Sequence, residues 1–134
     1  MATVLVDSNV LLDVLTSDPV WGEKSERALE ECGDRHVLAI NSVIYAEVSV
    51  GFDRIEDVEA ALPPDMIERL EIPWEAAFLA GKCFLRYRRL GGSRTAPLPD
   101  FFIGAHAAVE GLTLLTRDVA RYETYFPRVR LMVP

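Results

Sequence analysis

The chain has 134 residues, of which 50% are hydrophobic and 26% charged, a composition typical of a soluble globular protein. A chain of this length buries roughly two-thirds of its unfolded surface in one core, so we expect a single domain over residues 1–134. The net charge of −7 argues against a protein that coats nucleic acid non-specifically. The charge is unevenly distributed, because five cations and no acid lie between Glu75 and Asp100.

The cysteines and the N-terminus indicate the cellular compartment. Cys32 and Cys83 are too few for a disulfide framework and lack metal-ligand spacing. They are expected to be reduced, buried thiols in a cytoplasmic protein. Asp7 and Asp13 interrupt the apolar N-terminal run, which has no basic leader. The sequence therefore predicts neither a signal peptide nor a membrane-spanning segment.

Short apolar segments alternate with segments of helical periodicity along the chain. In chain order, the first half predicts a strand over 3–6, helices over 8–15 and 19–31, a strand over 36–40, a helix capped by Ser42, and a helix over 53–62. The second half predicts an extended piece over 68–72, a helix over 74–90, a loop over 93–99, a helix over 101–110, a strand over 112–116, a short helix over 118–122 and a strand over 129–133. This alternation favours a parallel sheet covered by helices on both faces.

One carboxylate lies where an apolar residue is expected. Glu47 belongs to the helix that Ser42 caps, on a face shared with Val43, Ile44 and Val50 that should point to the core. A buried, unpaired carboxylate is costly, so it shifts its pKa, finds a partner or binds a metal. A buried ion pair with an arginine is the alternative explanation.

Three aspartates, Asp7, Asp100 and Asp118, each precede a predicted helix. Aspartate is a favoured N-cap, so capping alone explains any one of them. In a parallel sheet, however, functional sites form at the carboxyl ends of the strands. Together with Glu47, four acids meeting at that edge would repel one another unless a divalent cation lay between them. The joint pattern indicates a metal-dependent phosphodiesterase site.

Four segments are similar to the motifs of one family. Residues 4–12, VLVDSNVLL, resemble the opening of PIN-domain ribonucleases, especially the VapC toxins of bacterial toxin–antitoxin pairs. Glu47 in its apolar helix looks like the second acid of that family. Residues 99–107, PDFFIGAHA, and 114–118, LLTRD, resemble its third- and fourth-acid motifs. The segments occur in order along the whole chain, and no acid is missing.

The resemblance implies a three-layer α/β/α sandwich with a mostly parallel sheet. It also implies one or two Mg²⁺ or Mn²⁺ ions held by Asp7, Glu47, Asp100 and Asp118, since such cations take oxygen ligands and keep several waters. We expect direct ligand roles for Asp7 and Asp100, and a ligand or water-positioning role for Glu47. Asp118 is expected to bind through water. The implied partners are an RNA substrate, a cognate antitoxin and a second copy of the chain.

Further residues are candidates for supporting roles. Asn9 and Thr116 are expected to orient carboxylates or to contact phosphate. His106 is expected to be a packed histidine rather than a ligand. The candidate RNA contacts are cations, namely Arg86, Arg89, Arg94 and Arg117. For the stripe formed by Lys82, Arg86 and Arg89, plain solvation near a helix C-terminus is an equal alternative.

Other functions compete with a nuclease. A haloacid-dehalogenase-like phosphatase also places an aspartate after its first strand, but it needs a second one two residues later, where this chain has Asn9. A phospho-receiver domain needs a late strand-end lysine, and the only lysines are Lys24 and Lys82. A PIN-like interaction module without catalytic activity remains an alternative.

Overall fold

A computed structural model describes residues 2–95 and 98–134. Its elements, in chain order, are β1 (Thr3–Val6), α1 (Ser8–Leu15), α2 (Gly22–Arg35), β2 (Val37–Ile40), α3 (Ser42–Ser49), α4 (Ile55–Ala61), β3 (Glu68–Arg69), α5 (Trp74–Arg89), α6 (Pro99–Glu110), β4 (Thr113–Leu115), α7 (Val119–Tyr125) and β5 (Leu131–Met132). Within the loop predicted over 93–99, residues 96 and 97 lie outside the described part of the chain. Most other predicted elements are present with ends shifted by at most three residues.

A five-stranded parallel sheet of order β3-β2-β1-β4-β5 forms the centre of the fold. Its middle strand is fully covered, because Val4, Leu5 and Val6 are 0% exposed. A strand buried on both faces is expected to be uniformly apolar, as this one is. The predicted α/β class with a central parallel sheet is confirmed.

The sheet pairing brings distant segments together at the carboxyl edge. Strands β1 and β4 are neighbours, with Val6 in register with Leu115. One residue further on, the Asp7 amide donates to the Leu115 carbonyl at 2.9 Å. Thr116 extends β4 in the same way, donating its amide to the Met132 carbonyl at 3.0 Å. Residues that follow β1 and β4 therefore lie side by side.

The predicted starts of α2 and α3 are wrong for local reasons. The second helix begins at Gly22 rather than Pro19, because Asp18 Oδ2 accepts hydrogen bonds from the amides of Val20 and Trp21 and holds a turn there. The same helix continues through Gly33 to Arg35. Helix α3 is capped by Asn41, not Ser42, since Asn41 Oδ1 accepts from the Ile44 amide at 3.0 Å.

Helix α6 begins earlier than predicted. Pro99 is its first residue and Leu98 its N-cap, so Asp100 lies in the first turn instead of capping the helix. Proline suits the first helical position because its missing N–H would have no partner there. The carboxylate of Asp100 is thus not used as a cap.

Glu47 has fewer apolar neighbours than predicted. The buried positions of α3 are Ile44 and Val48, both 0% exposed, whereas Val50 is 87% exposed and lies past the helix end. Glu47 itself is half-buried at the border of the buried face.

Both cysteines are buried thiols, as predicted. Among the described residues, no helix combines the length and apolar character needed to cross a bilayer.

Candidate functional site: a carboxylate cluster at the sheet edge

Asp7 is the best-anchored of the predicted acids. It is 2% exposed and directly precedes α1, where its Oδ1 accepts from the Ser8 amide at 2.8 Å. Its Oδ2 accepts from Thr116 Oγ1 at 2.8 Å, Tyr122 OH at 3.0 Å and Asn9 Nδ2 at 3.3 Å. Burial raises the pKa of Asp7, while these hydrogen bonds oppose the shift. Four donors therefore fix the orientation of one carboxylate.

Glu47 joins the same site through a shared neighbour. Ser8 Oγ donates to Glu47 Oε1 at 2.9 Å, so one serine bridges α1 to α3. Burial raises the pKa of Glu47, and the charge of Asp7 raises it further. The ion pairs found in the described residues do not include Glu47. The structure thus gives it a hydroxyl partner in place of the arginine considered above.

Asp100 is the acid most affected by its neighbours. Its pKa is raised to about 6, mainly by burial and also by the charges of Asp7, Asp118 and Glu47. Arg121 is the cation that opposes them. Within residues 2–95 and 98–134, no hydrogen-bond donor contacts the Asp100 carboxylate. In this part of the chain, the ionised carboxylate therefore has like-charged neighbours and no hydrogen-bond donor.

Asp118 stands at the N-cap of α7, but its side chain makes no capping hydrogen bond. Its backbone amide instead donates to Thr116 Oγ1 at 3.0 Å. Since the carboxylate is not used in capping, structural capping does not account for this residue.

The donor chemistry of the four acids fits a divalent cation. All four offer carboxylate oxygens, and their mutual repulsion leaves negative charge uncompensated. In the described residues, no group of three or more His, Cys, Asp or Glu side chains is close enough to surround one ion. The fit is therefore to a cation held by one or two carboxylates with water completing its shell, which is the usual mode of Mg²⁺.

Asn9 and Thr116 both contact the Asp7 carboxylate. Asn9 Nδ2 also donates to Thr116 Oγ1 at 3.3 Å, and Asn9 Oδ1 accepts from the Arg117 amide at 3.2 Å. The two side chains link the start of α1 to the end of β4. Because the Asn9 amide donates to Asp7, it cannot act as the second acid that a haloacid-dehalogenase-like phosphatase requires.

The predicted RNA-contacting arginines lie in two different environments. Arg86, Arg89 and Arg94 are exposed. The Arg86 guanidinium lies 5.7 Å from the centre of the Tyr125 ring. The Tyr125 ring in turn packs against the ring of Phe101, the residue after Asp100, with 5.0 Å between the ring centres. Arg86 is therefore linked through two aromatic rings to the helix that carries Asp100.

Arg117 is engaged by protein groups instead of facing solvent freely. Its Nη2 donates to Asp13 Oδ1 at 2.8 Å, and its Nε lies 2.8 Å from Asp13 Oδ2 in an ion-pair contact. The guanidinium also lies 5.0 Å from the centre of the Trp21 ring.

Three residues of the site did not stand out in the sequence. Tyr122 is 0% exposed and donates to Asp7, yet it reads as an ordinary core aromatic in a short helix. Arg121 lies over the Phe101 ring at 5.8 Å and acts on Asp100. Asp13 is 3% exposed despite its charge. Its position one turn after Asn9 in an apolar helix is the only signal that could have drawn attention to it.

His106 is packed in the core, as predicted. It is 1% exposed, and Asn41 Nδ2 donates to its Nδ1 at 3.0 Å. Burial lowers the pKa of His106, so the ring is held neutral. Since Asn41 also caps α3, this contact ties α6 to the helix that carries Glu47.

One known family covers most of the chain. Residues 4–127 match the family model of the PIN domain. The chain belongs to the PIN-domain family. No curated protein sequence matches it.

Solved PIN-like structures share the fold across nearly the whole chain. A chain of VapBC2 from Rickettsia felis, bound to a DNA fragment from its promoter, is 19% identical, with a TM-score of 0.74 and 98% of each chain covered. A chain of DNA-bound VapBC from Salmonella typhimurium is 20% identical, with a TM-score of 0.71 and coverage of 99% and 98%. A chain of VapBC-1 from nontypeable Haemophilus influenzae is 16% identical, with a TM-score of 0.72 and coverage of 98% and 97%.

Proposed function

We propose that this PIN-domain protein is a Mg²⁺- or Mn²⁺-dependent endoribonuclease and the toxin of a type II toxin–antitoxin pair. One observation carries the proposal: the charges of Asp7, Glu47 and Asp118 all act on Asp100, a carboxyl that has no hydrogen-bond donor among the described residues. A cation bound among these carboxylates would offset their repulsion. Membership of the PIN family supports a nuclease, and the VapBC neighbours support the toxin assignment.

Each acid has a role under this proposal. Asp7 and Asp100 would be direct ligands of the cation, Glu47 a ligand or a group that positions water, and Asp118 a ligand through water. When bound, a divalent cation of this kind supplies an activated water and stabilises charge on the leaving oxygen. Among the described residues, the Ser8 amide is the one donor to Asp7 Oδ1, which leaves that oxygen a lone pair for a cation, whereas Oδ2 accepts from three donors.

The neighbouring residues hold the carboxylates in fixed positions. Tyr122, Thr116 and Asn9 hold the Asp7 carboxylate in one rotamer. Burial and the nearby acids raise the pKa of Tyr122, so its hydroxyl stays protonated and remains a donor. Ser8 fixes Glu47 relative to Asp7. The protein thereby orients its carboxylates before substrate arrives, which lowers the cost of reorganisation during the reaction.

An acidic protein must meet RNA through local cations. The net charge of −7 opposes a polyanion. Arg86, Arg89 and Arg94 are exposed on the acid-free segment that leads to Asp100, and we propose them as phosphate contacts. We also propose a cognate antitoxin and a second copy of the chain as protein partners, and the whole chain as one domain.

RNA cleavage assays test the proposal. The wild-type protein is expected to cleave RNA with Mg²⁺ or Mn²⁺ and to lose activity in excess chelator. Asp7→Asn and Asp100→Asn should each lower the rate at least about 100-fold, since even residues that only support metal ligands contribute 10–100-fold. Asp65→Asn, an exposed acid outside the site, is the matched control and should retain full activity.

Two results would contradict this function. Undiminished cleavage in chelator would exclude a metal-dependent reaction. A folded wild-type protein that binds its antitoxin but cleaves no RNA with either metal would identify an inactive PIN-like interaction module.

A further inference from the structure

Successive residues of the loop between β4 and α7 are held by different groups. Thr116 is 0% exposed and donates to Asp7, and the Asp118 amide donates back to the Thr116 hydroxyl. Between them, the Arg117 side chain contacts Asp13 of α1. Because Arg117 lies between Thr116 and Asp118 in the chain, its position constrains both neighbours.

Helix α1 holds Arg117 at two points, one helical turn apart. Asn9 Oδ1 accepts from the Arg117 amide at 3.2 Å. Asp13, four residues later on the same helix face, engages the guanidinium through both carboxylate oxygens at 2.8 Å. The same helix begins beside Asp7. A rigid element thus connects the first acid to the loop that carries the fourth.

The Asp13 carboxylate is itself held in place. Ser25 Oγ of α2 donates to Asp13 Oδ2 at 2.7 Å. The guanidinium of Arg117 stacks on Trp21, just before α2. Asp13 is 3% exposed, so its charge is withdrawn from solvent, whereas the Arg117 side chain is 32% exposed.

General stability is a poor explanation for such a pair. An ion pair that is only partly buried adds little net stability, and removing the Asp13 carboxylate from water is costly. The hydrogen bond from Arg117 Nη2 and the close ion-pair contact of Nε do, however, fix the direction of the planar guanidinium. The cost of burying the Asp13 charge is better matched to a requirement for geometry.

We infer that Asp13 and Arg117 are positioning residues of the carboxylate site, fixing Thr116 and Asp118 relative to Asp7. The inference rests on the proposed nuclease function for its catalytic consequence. It gives Arg117 a role different from phosphate contact, and it assigns a role to Asp13. If Arg117 contacts RNA, freeing it from Asp13 should not harm the reaction. If Arg117 positions the loop, the same change should lower kcat.

Kinetics of four variants distinguish positioning from RNA contact. Asp13→Asn leaves the Arg117 charge in place and frees it for solvent, while Arg117→Met removes the charge and keeps an apolar stem over Trp21. Under positioning, both lower kcat about 10–100-fold with little change in KM. Arg117→Lys should recover only part of kcat, because one ammonium cannot reproduce a two-point contact. Unchanged kcat in Asp13→Asn would overturn the inference.

Val58→Ala is the control for stability. It removes buried apolar atoms from α4, which carries neither the loop nor any of the four acids. It should lower the melting temperature, because it leaves a cavity in the core, and leave kcat close to wild type. An equal loss of kcat in Val58→Ala would show that kcat follows stability, and would reject a positioning role.

RNA binding in chelator provides a second check. Each phosphate contact contributes about 0.7 to the slope of affinity against salt for a single strand. Arg117→Met should bind RNA with the wild-type slope. A slope reduced by about this amount would assign Arg117 to the RNA.

Hydrogen exchange in metal-free protein tests the contact independently of activity. The Arg117 and Asp118 amides, which donate to Asn9 and Thr116, should exchange at least about tenfold faster in Asp13→Asn, because their opening no longer requires breaking the ion pair. Unchanged exchange would overturn the inference even in an active enzyme. If wild type cleaves no RNA, the proposed function fails, and exchange still decides whether the pair fixes the loop.

Discussion

The surroundings of Asp7 and Asp100 differ more than the sequence suggests. Both are aspartates next to the start of a helix, and burial raises the pKa of both. Asp7 has four hydrogen-bond donors from Ser8, Asn9, Thr116 and Tyr122. Asp100 has none in the described residues, and its pKa of about 6 reflects burial and like charges.

Because of this difference, we expect Asp7 and Asp100 to have different roles in the proposed site. The donors around Asp7 hold its carboxylate in a defined position, whether or not a cation is present. The Asp100 carboxylate is ionised at neutral pH only at a free-energy cost, which a cation would offset. Under the proposed function, Asp7 provides a carboxylate of fixed orientation and Asp100 provides affinity for the cation.

The strongest test of the geometric side is Tyr122→Phe. This change removes one donor to Asp7 while keeping the buried ring. We expect an activity loss of about 10–100-fold and a loss of about 1.5–3 kcal/mol in the free energy of unfolding, as for hydrogen bonds to charged groups. Single-turnover cleavage and urea unfolding measure the two effects.

Tyr125→Phe is the control for that variant. Tyr125 lies on the same helix and packs against Phe101, and its hydroxyl makes no hydrogen bond within the described residues. It should change neither quantity appreciably. Equal activity of Tyr122→Phe and wild type would show that orientation of Asp7 does not depend on this donor.

The electrostatic side predicts an effect of pH on stability. In metal-free protein the folded-state pKa of Asp100, about 6, exceeds the ordinary value of 3.8. As pH rises between these values, the unfolded chain releases the proton first, so the native state loses stability. The full loss, at most about 3 kcal/mol, is present above pH 6. Asp100→Asn should lack this decline.

Unfolding free energies at pH 4 and pH 7.5 check this prediction. Relative to wild type, Asp100→Asn should be more stable at pH 7.5 than at pH 4. Mg²⁺ should raise the wild-type melting temperature by binding the folded site, and the shift should shrink in the mutant. A stability difference independent of pH would show that like charges do not act on Asp100.

The smallest expected effect concerns Arg121, the cation that opposes the acids around Asp100. Arg121→Met should raise the pKa of Asp100 further above about 6, because the remaining charges all have the same sign. Carboxyl-carbon NMR titration of Asp100 measures this. Arg128→Met, at an exposed position of the same region, should leave the titration unchanged. An unaltered pKa of Asp100 in Arg121→Met would show that Arg121 does not act on this carboxyl.

Periodicity was sufficient to predict the sheet class and most elements. Strand β1 and helix α1 have the predicted bounds, since an uninterrupted apolar run and a clear helical repeat leave one interpretation. The errors arose where a single side chain decides the outcome. Asn41 rather than Ser42 caps α3, and Pro99 moves the start of α6.

The supporting residues of the site could not be read from local sequence. Tyr122 and Asp7 are 115 positions apart, and Arg117 and Asp13 are 104 apart. Only the pairing of β4 with β1 brings them together, and no local pattern encodes which side chains then meet. The acids themselves stood out because a charge in an apolar segment is unusual in any context.

The strand order has a consequence for biosynthesis. Strand β4 pairs with β1, and Thr116 reaches Asp7 across 109 positions. A chain is made from its N-terminus, so of the four described donors to Asp7, a growing chain that ends before β4 contains Ser8 and Asn9 alone. Under the proposed function, the nascent chain stays harmless to the RNA around it, including its own message, until β4 and the loop that follows it have been made.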